Sequence, residues 1–337
     1  MKLSAYLMPV EHPDFLDCVV AAEDNGYARA WVPDSQMIWE DAIVYMTRAL
    51  SATDRIEVGP GVTQMVTRHF TVTASSMATL AKLFPGRVVM GLGRGDSAVR
   101  TLGLEPMRTK AFGELIPRLK ELSQGGSIDF DGTDVRLTWC EGDELPIMMA
   151  ATGPRNLRLA GALADIVQLQ VGAHPAAVEW GVRFIREGAE EAGRDPGEVE
   201  ISLLCGMWVT DDMDEAYEQA RWAPACAANH ISDVAKFNKN HGMPDALLDV
   251  IRQRDQAYDY YAGHCVNEAD HADYVTPELI ENFGIVGSVD RCLERIDEMA
   301  ELGIDEIAAG MLNGGKEQIE HVGREIIPKL DGVGAKA

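Results

Sequence analysis

Two places in this chain set groups suited to proton transfer at the end of an apolar run. Asp34-Ser35 follows Ala28 to Val32, and Asp96 follows Arg87 to Leu92 through the turn Gly93-Arg94-Gly95. Carboxylates and hydroxyls so placed can exchange a proton with a reacting group if the run ends share one rim. A third place is suited to anion binding. Thr152-Gly153-Pro154-Arg155 puts a glycine and a helix-starting proline beside an arginine, which leaves the N–H groups of a first helical turn free for a phosphate. Plainer roles stand beside these: Asp34 and Asp96 as helix caps, 152–155 as an ordinary helix start. Gly91-x-Gly93-x-Gly95 lacks the full dinucleotide fingerprint and its acidic ribose partner, so turn glycines suffice to explain it. His69, beside Arg68, is read as packing or hydrogen-bonded structure. His264 and His271, near Glu268 and Asp270, match no zinc-binding spacing, and no metal site is expected. The cysteines 18, 140, 205, 226, 265 and 292 contain no CxxC pair and are read as reduced thiols.

The elements that must position these groups alternate between strand and helix. Strand-type runs are expected at Leu3 to Met8, Ala28 to Val32, Ile56 to Val58, Arg87 to Leu92, Pro146 to Ala150, Ala164 to Gln170, Val199 to Met207 and Ile304 to Ala309. Helices are expected between them: from His12-Pro13 to Asn25-Gly26, then Trp39 to Ala52, Thr71 to Phe84, Met107 to Leu122, a helix ending at Ala164, Pro175 to Gly193, Met213 to Ala228, and one from the Val286-Gly287-Ser288 cap to Leu302, with Glu317 to Leu330 last. Gly125 to Leu145 reads as a hairpin turning at Asp131-Gly132. Strands returning through helices of this length are parallel, and eight such units close into a (β/α)8 TIM barrel, with a doubly wound open sheet as the alternative. In a barrel the residues just after each strand share the carboxyl rim, where sites lie. From Asn229 to Pro277 the rhythm fails in a polar, Tyr- and His-rich stretch, read as an irregular insertion or lid after strand seven. One domain over 1–337 is expected, carrying that insertion at 229–277.

Composition excludes some classes of partner. The chain has 337 residues, 46% apolar and 25% charged, and a formal net charge of −24. That charge repels phosphate backbones and anionic membranes, so nucleic acid is not an expected partner. No run approaches the roughly 18 apolar residues of a membrane span, and Met1-Lys2-Leu3 enters a strand with no leader pattern. A cytoplasmic protein acting on a small molecule is expected, with a homodimer as its assembly.

GPGVT followed by TRH, then PGRVVMGLGRGDSAVRTLG, then PIMMAATGPRNLRLAGALAD resemble the luciferase-like monooxygenase superfamily. Within it they are most similar to the branch using the deazaflavin coenzyme F420, above all methylenetetrahydromethanopterin reductases and sugar-phosphate dehydrogenases. The likeness is close over strands two to six and looser over GSVDRCLERIDEMAELGIDEI. It implies a bulge with a non-prolyl cis peptide at Gly61-Val62 behind the coenzyme ring. It implies ring or phosphate contacts for Asp34, Gly61, Val62, Gln64, Gly93, Gly95, Ala150, Ala151, Thr152, Gly153 and Arg155. Asp96 falls where relatives carry a glutamate used as an acid, and Trp39 on a tryptophan lining the substrate side. Ser35 stands where the sugar-phosphate dehydrogenases have a catalytic histidine, so a reductase of a C=N, C=C or similar electrophile fits better, with Asp96 or Ser35 as proton donor. Met65, Val62, Trp39, Tyr258, Tyr260 and Tyr261 are expected to exclude water. An FMN-dependent monooxygenase and a non-catalytic binding barrel remain the alternatives.

Overall fold

Short runs of Val, Ile, Leu, Met and Ala form the strands because both their faces are covered, as in a parallel sheet flanked by helices. The computed structural model describes residues 1–11, 15–237, 242–254, 258–330 and 333; His12-Pro13, expected to lead into the first helix, lies outside the described residues. The first half of the barrel is β1 (Lys2–Tyr6), α1 (Phe15–Asp24), β2 (Arg29–Val32), α2 (Ala42–Ala52), β3 (Glu57–Pro60), β4 (Thr63–Gln64), α3 (Phe70–Leu83), β5 (Met90–Gly93), α4 (Ser97–Arg100) and α5 (Thr109–Ser123). A hairpin of β6 (Ser127–Phe130) and β7 (Thr133–Arg136) follows. It turns at Asp131 and Gly132, with φ of 50° and 81°, the left-handed pair that a two-residue hairpin requires. Then come β8 (Ile147–Ala151), α6 (Pro154–Leu163), β9 (Ile166–Leu169), α7 (Pro175–Glu191) and β10 (Glu200–Val209). Beyond β10 lie α8 (Met213–Ala220), α9 (Trp222–Phe237), α10 (Asp245–Gln253), α11 (Tyr260–Gly263) and α12 (Pro277–Phe283). The chain closes with β11 (Gly284–Gly287), α13 (Val289–Glu301), β12 (Glu306–Gly310) and α14 (Gly315–Glu325).

All pairings in the main sheet are parallel. Its order runs β3-β2-β1-β12-β10-β9-β8-β5-β4. The third stave is the pair β3 and β4, separated by the cis peptide Gly61-Val62 that the resemblance implies, and the bridge Val58–Val88 joins β3 to the fourth stave. Eight staves thus make the barrel. Its interior is layered. At the amino end, fully buried Glu306 accepts from Ser4 Oγ at 2.6 Å, Ser202 Oγ at 2.9 Å and Trp31 Nε1 at 3.1 Å, and pairs with Arg29. Arg29 in turn holds Glu200 and, at 2.6 Å, Glu57. Above this charged layer Tyr6, Trp31, Val89, Met148, Ile166 and Ala308 pack together, with Val62 and Ala150 against them.

The structure corrects three expectations. α2 starts at Ala42 instead of Trp39, because the Asp41 carboxylate accepts from Ile43 N and Val44 N and fixes the cap there. Ser288 does cap α13, but Gly284–Gly287 just before it is an additional parallel strand on Gly206 to Val209 of β10. The stretch 229–277 is largely helical where described; in α10 Leu247 and Val250 are buried and Leu248 and Ile251 pack against the core, so its charged residues mark a solvated face. No helix among the described residues is long and apolar enough to cross a membrane.

Candidate functional site

The loop after β2 meets the loop after β5. Asp34, buried, accepts from Thr63 Oγ1 of β4 at 2.6 Å and lies 3.5 Å from Arg68 Nε. The same guanidinium reaches Asp41 at 3.0 Å. Ser35 Oγ and Ser97 Oγ, both buried, are 2.5 Å apart, and Gln36 Nε2 donates to Ala98 O at 2.9 Å. Ser35 therefore sits against the residue next to Asp96. Trp39 lies on the loop between β2 and α2.

Asp96 precedes α4 without capping it. Its carboxylate instead takes Arg100 Nε at 2.8 Å and the Tyr260 hydroxyl at 2.9 and 3.0 Å, with His230 Nε2 at 3.9 Å. Burial opposes its charge, yet His230, the Tyr260 hydrogen bond and Arg100 outweigh it and hold the carboxyl below the usual carboxylate range. Burial and the neighbouring Asp96 push the Tyr260 phenol up, so it keeps its proton. Asp96 is thus a charged acceptor here, which differs from the acid expected of it.

The floor of this rim is made of small residues. A Cβ on Gly93 would lie 2.5 Å from Val62 Cγ2, and one on Gly61 would lie 2.7 Å from the Tyr6 ring. Gly95 follows at φ 93°. Gln64 is occupied with its own turn: its Oε1 accepts from Val66 N at 2.6 Å and Thr67 N at 3.0 Å.

The β8-to-α6 junction runs Ala150, Ala151, Thr152, Gly153 and on to Pro154 at the helix start, with no side-chain cap. The first-turn N–H groups are therefore available to a ligand. Arg155 is exposed, whereas Arg158 pairs with Glu187 at 2.5 Å and lies over the Phe184 ring, which assigns it to the outer helices. A Cβ on Gly153 would meet Val234 Cγ2 of α9 at 2.9 Å.

That contact links the two ends of the site. His230 faces Asp96, Asp233 pairs with Arg100, and Val234 covers Gly153, and residues four apart on a helix are stacked on one face, about 6 Å apart. One turn of α9 therefore touches both the carboxylate and the uncapped helix start. Sequence reasoning missed His230, Arg100, Ser97 and Val234, and placed Tyr260 at the site as a water-excluding side chain without its hydrogen bond to Asp96; the Tyr and His enrichment of 229–277 was the available signal. His69 caps α3, its Nδ1 accepting from Thr71 N at 3.4 Å and lying 2.8 Å from Thr71 Oγ1. The spacing analysis also missed a convergence of Cys226, Cys265 and His264, whose ligand atoms lie within 4.8 Å of one another.

A family model described as luciferase-like monooxygenase matches residues 6–306. A 5,10-methylenetetrahydromethanopterin reductase from Methanopyrus kandleri is 29% identical over 96% of this chain and 96% of its own. The enzyme of the same name from Methanolobus tindarius is 30% identical over 91% of this chain and 93% of its own. In fold, the chain is similar to the solved coenzyme F420-dependent tetrahydromethanopterin reductase of Methanopyrus kandleri, with a TM-score of 0.75 and 24% identity over 97% of this chain and 99% of that one.

Proposed function

Since the chain belongs to the luciferase-like monooxygenase family, we propose that it is an oxidoreductase that uses reduced coenzyme F420 to reduce a small organic electrophile such as a C=N compound. The observation that carries this is the single turn of α9 spanning Asp96 and Gly153, which brings a proton-handling end and an anion-holding end together on one rim. The near full-length likeness to two reductases supports the reduction over other reactions.

The residues present fit the coenzyme. The uncapped α6 start suits its phosphate, and the glycines at 61 and 93 let Tyr6 and Val62 pack directly on the backbone, a low floor on which a flat ring could lie. Gln168 Nε2 is a buried donor without a partner among the described residues, while its Oε1 accepts from Tyr6, which lies against Gly61. When bound, reduced F420 supplies a hydride. The protein's task is to orient, exclude water and deliver a proton. In this reading Gly61, Val62 and Gly93 back the ring, and Ala150, Ala151, Thr152, Gly153 and the exposed Arg155 surround the phosphate. Asp34 faces the ring's polar edge, with Gln64 and Gly95 shaping the wall between them. Trp39 covers the substrate. Asp96 holds the Tyr260 O–H in place, and the Ser35 hydroxyl, backed by Ser97, delivers the proton.

A cytoplasmic setting and a homodimer belong to the same reading. The six cysteines form no disulfide among the described residues, which suits a reducing compartment, and the exposed Val44 on α2 and Val72 and Leu83 on α3 suit a second copy. A monomer by light scattering at micromolar concentration removes the dimer. The decisive experiment titrates the protein separately with F420 and FMN. Micromolar F420 binding with oxidation of reduced F420 by an imine acceptor is expected. Binding of FMN alone, or oxygen uptake driven by the reduced cofactor, overturns the proposal.

A further inference from the structure

Cys226 lies on α9, and His264-Cys265 lies just beyond α11, with the two cysteines 39 positions apart in the chain. In space they converge. Cys226 Sγ is 3.1 Å from Cys265 Sγ and 3.8 Å from His264 Nδ1. The Tyr258 hydroxyl joins them, 3.1 Å from Cys226 Sγ and 2.7 Å from His264 Nδ1.

The backbone is shaped for this. Consecutive side chains on an extended chain point to opposite sides, yet His264 and Cys265 both reach Cys226. Cys265 has φ of 63°, a left-handed conformation uncommon in residues with a Cβ. Its N–H donates to the Tyr258 oxygen at 3.2 Å, holding that turn.

We propose that Cys226, Cys265 and His264 form a binding site for a soft divalent cation of the zinc class, through two sulfurs and one imidazole nitrogen. The donor set selects the metal: two thiolates and an imidazole suit zinc and exclude magnesium and calcium, which take oxygen ligands. The geometry is close to what such an ion needs. Zn–S bonds of about 2.3 Å and Zn–N bonds of about 2.0–2.1 Å in a tetrahedron put the sulfurs about 3.8 Å apart and sulfur about 3.6 Å from nitrogen. The Cys226–His264 separation of 3.8 Å is close to this, Cys265 lies within 4.8 Å of the same imidazole, and the sulfurs must open by about 0.7 Å, a small side-chain adjustment. A disulfide would require them to close by about 1 Å and gives the converging imidazole no role.

Binding converts both thiols to thiolates and leaves the imidazole neutral, so two protons pass to solvent while two negative sulfurs neutralise the dication. The Tyr258 hydroxyl remains a hydrogen-bonding neighbour beside three protein ligands.

The ion would clamp the segment 258–265 to α9. The His264 ring lies 5.3 Å from that of Trp39 and 5.4 Å from that of Tyr260, whose hydroxyl rests on Asp96. The clamp thus fixes one wall of the rim, whatever coenzyme binds there.

The test is anaerobic titration of the reduced, chelator-treated full chain with Co²⁺. One equivalent is expected, with a thiolate-to-cobalt charge-transfer band and tetrahedral ligand-field absorption. Both features should vanish in Cys226→Ser and Cys265→Ser, and His264→Ala should weaken binding at least tenfold. Zn²⁺ should raise the melting temperature of the parent but not of Cys226→Ser. No stoichiometric Co²⁺ in folded, reduced parent protein overturns the site, as does an unchanged spectrum in Cys226→Ser. Recovery of a Cys226–Cys265 disulfide from metal-free protein overturns it in favour of a redox pair.

Discussion

Replacing Asp96 by Asn removes one charge and little volume, so it isolates what the carboxylate does. Its partners are Arg100, the Tyr260 hydroxyl and, at 3.9 Å, His230. Arg100 keeps Asp233, and the asparagine oxygen can still accept from Tyr260, so the loss is that of charge assistance. Hydrogen bonds to charged groups contribute about 1.5–3 kcal/mol, and the side chain is 20% exposed, well below the exposure at which solvent screening reduces such pairs to almost nothing. At about 2.1 cal/mol/K per residue, 337 residues give an unfolding entropy of about 0.7 kcal/mol/K. The expected fall in melting temperature near pH 7 is thus about 2–4 °C. The pH dependence has a definite sign. The folded-state pKa is depressed, so the carboxylate's contribution is complete above the unfolded value near 3.9 and disappears as pH falls through the lower folded value. Melts of parent and variant followed by circular dichroism should show a gap near pH 7 that narrows below about pH 4. Turnover should drop as well, because the wall that Tyr260 and Asp96 form at the rim is held less firmly. A variant as stable as the parent at pH 7, or a gap unchanged down to the lowest pH at which both fold, refutes the assignment of Asp96 as a stabilised anion.

Two further outcomes follow from the site and the barrel base. Gly153→Asp should weaken F420 binding at least tenfold beyond Gly153→Ala, measured by fluorescence titration, since both crowd Val234 but only the aspartate repels a phosphate at the helix start; equal affinities remove this turn from the site. Arg29→Met leaves Glu306, fully buried, without its cation and should cost about 3–5 kcal/mol in urea unfolding, while a loss below about 1 kcal/mol, the range of exposed pairs, refutes a structural role for the charged layer.

The barrel staves were legible because each carries a mostly apolar run, and burial on both faces leaves few other uses for such a run; the polar residues set in them, among them Ser4, Arg29, Ser202 and Glu306, pair with one another inside the barrel. Asp34, Ser35 and Asp96 could be set on one rim by topology alone. Their partners could not: Tyr260 is 164 positions from Asp96 and Asp233 is 133 from Arg100, and no local period encodes such contacts. β11 was hidden because Gly284–Gly287 is bounded by glycine at both ends and its residues also read as a helix cap. α10 was hidden because its apolar residues, Leu247, Leu248, Val250 and Ile251, are interleaved with charge. The Cys226, Cys265 and His264 cluster was illegible for the same reason as Tyr260, and additionally because adjacent residues reach a common point only through the left-handed backbone at Cys265.

The pairing of β1 with β12 has a consequence for synthesis in the cell. Lys2 is in register with Glu306, so one edge of the first strand finds its neighbour only after about 300 further residues have been made. At about 5–20 residues per second, that edge waits on the order of 15–60 s after β1 leaves the ribosome. Ser4 and Trp31 wait as well, since the carboxylate they share arrives with Glu306. During that interval the nascent chain is an open parallel sheet with an unpaired edge, the form most prone to join a neighbouring chain. A stall late in translation therefore exposes the first strand made, at the opposite end of the chain from the residues still missing.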